Sequence, residues 1–97
     1  MAEFLIKRED GRFLELSQEM LAPLVTPELA REDGWGVLRL RHAATGAVAV
    51  IDDEMPGFKV WFEGEKIDDA GQRALADGLA ARIKAVSGQD VYVIAIG

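Results

Sequence analysis

The chain contains no cysteine, which removes disulfides, thiolate nucleophiles, C-x-x-C redox motifs and cysteine-bound zinc or iron–sulfur clusters together. Asparagine is absent as well, and histidine occurs once, at His42. No apolar run approaches the roughly 20 residues of a membrane-spanning helix. The opening segment Met1-Ala2-Glu3-Phe4-Leu5-Ile6-Lys7-Arg8 turns charged too soon for a secretory h-region. A reducing, cytoplasmic location without a membrane partner is the expectation.

Nucleophiles are scarce too: the side-chain hydroxyls are Ser17, Thr26, Thr45, Ser87 and Tyr92. Ser17, Thr26 and Ser87 fall where helix ends would occupy them, and no G-x-S-x-G elbow is present. A triad built on His42 therefore lacks its nucleophile. Neither G-x-G-x-x-G nor G-x-x-x-x-G-K-[ST] occurs, so nucleotide binding loses its usual support and no cofactor is expected.

What is present is one domain's worth of chain, 97 residues read as a single unit over 1–97, with 17 acidic and 11 basic side chains. The net charge of −6 and a pI near 4.7 repel phosphate backbones. With no Lys/Arg-rich run, nucleic acid is disfavoured as a partner, and another protein, or a second copy of this one, is favoured.

Along the chain, Phe4 to Arg8 is strand-like, and Asp10-Gly11 carries the positive-φ chemistry of a hairpin turn into a second strand over Phe13 to Leu16. Ser17 caps a short helical turn that Pro23 ends, and Thr26-Pro27-Glu28-Leu29 reads as the start of another, closed by Gly34. From Trp35 to Arg41 the period becomes two; Ala47 to Ile51 is nearly continuously apolar; Phe58, Val60 and Phe62 alternate again. Asp52-Asp53-Glu54 reads as a solvated turn between them. Asp69 with Gln72 suggests a capping box, Ser87-Gly88 a stop, and Leu75, Leu79, Ile83 and Val86 one apolar stripe. The apolar run from Val91 to Ile96 is expected at the centre of the sheet. The predicted fold is α+β: a mostly antiparallel sheet of about five to six strands, one long C-terminal helix (about 69–87) packed on one face, and short helical turns near 17–33.

If that helix covers the leucine and phenylalanine side, Trp35, Arg39, Arg41, Lys59 and Trp61 share the other side. Aromatics and arginines are the types enriched at binding hot spots. The alternative is that each indole packs under the short helices or receives a cation on its ring. Ala70, Ala74, Ala81 and Ala85 form a small-residue stripe on the helix, a candidate packing or dimer surface, although alanine is also the best helix former. Asp52, Asp53 and Glu54 are a weak metal candidate, because adjacent carboxylates seldom converge on one ion and no EF-hand spacing exists. No other metal ligands and no catalytic residues stand out.

The sequence favours a non-enzymatic protein-interaction module of the adaptor, inhibitor or immunity type, binding through the Trp/Arg-bearing sheet face. A small metal- or ligand-dependent enzyme using clustered carboxylates, and a structural subunit of an oligomer or phage assembly, stand as alternatives.

Overall fold

Phe4 and Ile6, Leu38 and Leu40, Phe58, Val60 and Phe62 each recur with a period of two, and a strand sends residues so spaced to one face. In the computed structural model, which describes residues 3–64 and 67–97, all of them are buried in one apolar cluster. They lie on β1 (Glu3–Arg8), β3 (Leu38–His42) and β5 (Gly57–Glu63), three of the six strands among the described residues; the others are β2 (Leu29–Arg31), β4 (Val48–Glu54) and β6 (Val91–Ala95). The strand order is β2-β3-β4-β5-β1-β6, and every neighbouring pair is antiparallel. A short helix α1 (Gln18–Leu21), a 3-10 turn (Ala22–Leu24) and the long helix α2 (Asp69–Ser87) complete the α+β fold.

Helix α2 begins and ends on local chemistry. The Asp68 carboxylate accepts the Gly71 N–H at 2.8 Å, and Gly88, at φ +71°, turns the chain out while its N–H donates to Lys84 O at 2.9 Å. The cap is thus Asp68 rather than Asp69. The helix buries Gln72, Ala76, Leu79, Ala80 and Ile83, while Leu75 and Val86 are half-buried. The buried stripe is rotated toward the small Ala76 and Ala80, which let the helix axis come close to the sheet. Each large apolar side chain taken fully from water contributes about 1.5–3 kcal/mol, so the Leu79 and Ile83 contacts alone anchor the helix.

Four expectations are corrected. Phe13 to Leu16 is not a strand: β5 and β6 already occupy both edges of β1, and the segment instead runs to α1 with Leu14 buried and its N–H donating to Pro56 O at 2.9 Å. The Asp10-Gly11 turn forms regardless. Its carboxylate accepts the Arg12 N–H and pairs with Arg8 at 2.5 Å, contacts that hold the Asp10 carboxyl below its ordinary pKa.

Thr26-Pro27-Glu28-Leu29 does not open a helix. Thr26 Oγ1 and the Thr26 carbonyl both accept the Leu29 N–H at 3.1 Å, closing a turn, and Leu29 to Arg31 then pair with His42 to Leu40. A hydroxyl capping a turn and one capping a helix look alike over four residues. Asp52-Asp53-Glu54 is not a turn but the end of β4, paired with Gly57 to Lys59 across the connection at Met55-Pro56.

The last correction concerns β6, which lies at the edge and not at the centre. It is apolar because both of its faces are partly covered: Val91 and Val93 pack against the core under α2, and Ile94 on the other face is half-buried. Strand β1 lies between β5 and β6, so the α2 crossover has to deliver the chain to the far side of β1.

Candidate interaction face

On the side of the sheet away from α2, the register sets the side chains in rows. Glu3, Trp61, Val50 and Arg39 are cross-strand neighbours, as are Ile94, Leu5, Lys59 and Asp52. Alternation on β3 and β5 therefore brings Arg39, Arg41, Lys59 and Trp61 to one face, as the sequence pattern predicts. Trp35 joins them by a different route. It precedes β3, in a bend between Gly34 and Gly36, and reaches the face because that loop folds back over the sheet.

Both glycines are needed for the fold-back. At Gly34 a Cβ would sit 2.4 Å from Cδ and Nε of Arg39, so the bare backbone lies directly on the arginine stem. Gly36, at φ +103°, approaches Val50 Cγ1 and Ile51 O, where a Cβ would stand 3.2 Å from each. Val50 is thereby sealed, although no helix covers it.

The loop delivers Trp35 onto Trp61, with ring centroids 5.3 Å apart and planes inclined at 40°. Lys59 Nζ lies 5.5 Å from the Trp61 ring centroid and 3.2 Å from Glu3 Oε1. Trp61 is thus half-buried between a cation and a second indole, whereas Trp35 keeps 63% of its surface in solvent. The face extends past Leu5 to Ile94 and to Tyr92, which is 40% exposed.

The arginines of this face have structural partners. Arg39, with only 11% of its side chain exposed, donates through Nη2 to Glu63 Oε1 at 2.5 Å and lies 3.7 Å from Glu32 Oε2. The hydrogen bond to Glu63 holds the guanidinium pKa above the ordinary arginine value against the opposing effect of burial. Arg39 Nε, beneath Gly34, has no hydrogen-bond acceptor. Arg41 is more open; its Nε donates to Glu32 Oε1 at 2.8 Å and its Nη1 to Gly46 O at 3.0 Å. Glu32 therefore bridges both arginines and ties the start of the loop to β3.

Compared with protein-family models, with curated proteins and with solved structures, the chain matches none.

The remaining candidate residues lie elsewhere. Ala70, Ala74, Ala81 and Ala85 are exposed on α2, Ala74 at the groove that α2 forms with the β2–β3 end, and Gly78 beside them has open space where a Cβ would be. Asp52, Asp53 and Glu54 are divided by strand alternation, with Asp53 on the opposite face from the other two. Among the described residues no three His, Asp or Glu side chains group closely enough to hold a metal ion.

One feature escaped the sequence pattern. A groove of about 310 Å³ runs between α2 and the β2–β3 end, lined in part by Leu29, His42, Leu75, Gly78 and Arg82. Its volume is at the small end of ligand pockets. Three of its polar side chains are engaged in structure: His42 Nδ1 bonds Thr45 Oγ1 at 2.9 Å, Thr26 Oγ1 accepts the Leu29 N–H, and Arg82 donates to Pro23 O at 3.3 Å. Reading Thr26 to Gly34 as a helix concealed the groove, one wall of which is built by the Thr26 turn and Leu29 of β2.

Proposed function

We propose that this chain is a non-enzymatic protein-interaction module of the adaptor, inhibitor or immunity type, and that it docks a partner protein on the Trp35–Trp61 face. The observation that carries this reading is the exposed Trp35, held against Trp61 by a glycine-flanked loop whose backbone is locked onto Arg39. An indole exposed by 63% forgoes much of its burial free energy in the isolated chain, and a partner that covers it recovers that term. The loop and the paired arginines are already ordered, so docking requires little further immobilisation of side chains. Lys59 and Arg41 form a polar rim around the indoles. The net charge of −6 steers a basic partner toward the domain from a distance.

The test is affinity capture from source lysate with the wild type, a Trp35→Ala/Trp61→Ala variant and an Ala81→Glu variant on the far side of α2. Melting curves establish that all three fold. A protein retained by the wild type and Ala81→Glu but lost with the double variant supports the reading, and its binding is then titrated with both purified components. Capture indifferent to the indoles, or no capture at low and moderate salt, refutes it.

A further inference from the structure

The two edges of the sheet are not alike. Strand β2 has three residues, carries Arg31 and follows Pro27, which are the usual devices that stop a free edge from pairing. Strand β6 at the other edge has the sequence Val91-Tyr92-Val93-Ile94-Ala95, with no charge, no proline and no glycine. Among the described residues, nothing pairs with its outer side.

The Glu9 N–H donates to Asp90 O at 2.9 Å and the Ile96 N–H to Glu3 O at 2.9 Å, so residues 90 and 96 point their polar groups inward to β1. Alternation along an antiparallel strand turns Tyr92 and Ile94 inward as well, and directs the N–H and C=O of Val91, Val93 and Ala95 outward. Those outward groups need an acceptor and a donor of matching spacing.

We propose that β6 pairs with β6 of a second copy of this chain, antiparallel, about a two-fold axis at Val93. In that register Val93 faces Val93 of the other copy, and Val91 faces Ala95, and each opposed pair exchanges both N–H···O=C bonds. On the α2 side the cross-dyad neighbours are Val91, Val93 and Ala95; on the indole side, Tyr92 meets Ile94. Every cross-strand pair is apolar, so two chains of net charge −6 meet without like charges opposed along the strands. The sheets join into one, and the indole faces lie on the same side of it. This inference does not depend on the reading of the indole face.

Sedimentation velocity across the micromolar range, combined with amide hydrogen exchange, tests it. The expected result is a monomer–dimer equilibrium in which raising the concentration slows exchange at Val91, Val93 and Ala95, while Tyr92 and Ile94 are slow at every concentration. Val93→Pro removes an outward N–H and no bond to β1, and it is expected to abolish the dimer while keeping the far-UV spectrum. Ala95→Lys, an exposed position, is expected to do the same by charging the edge. A chain that stays monomeric throughout, a dimer that survives Ala95→Lys, or concentration-dependent protection without the odd–even pattern overturns the proposal. Loss of the dimer in the Trp35→Ala/Trp61→Ala variant would also overturn it, by moving the contact to the other surface.

Discussion

The two faces of this one sheet are closed by different means. Under α2, burial is conventional: Phe4, Ile6, Leu40, Ile51, Phe58, Val60 and Phe62 interdigitate with Leu79 and Ile83, and the buried polar Gln72 of the helix donates through Nε2 to Ile67 O at 3.2 Å. On the other side, Val50 is equally dry, but what lies around it is a loop backbone, an ion-paired arginine and an indole. Here the helix covers the sheet chiefly with apolar area; the loop does it with glycine contacts and an ion-paired arginine. The second solution leaves its outermost residue in solvent, and that residue is Trp35. The difference teaches that a sheet face closed by a thin loop, unlike one closed by a helix, can hold a large aromatic in place and still leave it open to solvent.

Three substitutions probe that contrast. Phe62→Ala strikes the helix-covered face, where Phe62 also meets the Phe4 ring edge-on at 6.4 Å. Its expected cost is about 3–5 kcal/mol, a large share of the stability of a small domain, read as a collapse of the urea midpoint. A loss below about 1 kcal/mol would mean that the two faces are not distinct in strength.

Arg39→Met keeps the aliphatic stem beneath Gly34, removes the unsatisfied Nε, and leaves Glu63 and Glu32 without their shared cation. A loss of about 1–2 kcal/mol is expected in chemical unfolding, between the two extremes, because the partners are partly solvated. A stabilised Met variant would show that the ion pairs orient the loop at a net energetic cost. Trp35→Ala should change stability by less than about 0.5 kcal/mol, as for other exposed sites, while uncovering Trp61, so that acrylamide still quenches the remaining indole. A melting temperature lowered as far as in the Arg39 variant would show Trp35 to be a structural plug instead of a docking residue.

Legibility in the sequence followed the range of the interactions. The span of helix α2 was readable, since the Asp69–Gln72 and Ser87-Gly88 signals act within one turn, though its cap fell one residue earlier, at Asp68; the strands over 38–42 and 58–62 were readable from their period and that over 48–51 from its apolar run. Thr26 to Gly34 was not, because a hydroxyl followed by proline and a carboxylate suits a turn as well as a helix, and only pairing with Leu40 to His42 decides between them. Edge position was hidden for β6, since apolar composition reports the covering of faces and says nothing about neighbours in the sheet. The side shared by Arg39, Arg41, Lys59 and Trp61 followed from alternation alone. That Trp35 lies against Trp61, and that Glu32 bridges two arginines, depends on how the Gly34–Gly36 loop folds back, which no local pattern encodes.

The stacked tryptophans have an optical consequence. Two indoles 5.3 Å apart and inclined at 40° have transition dipoles close enough to couple, which splits their shared absorption into a pair of circular-dichroism bands of opposite sign. The protein thus carries its own chromophoric gauge at the one place where docking is proposed. A ligand that wedges the rings apart would flatten that couplet while the helical signal stays constant, and occupancy could be followed without attaching a label.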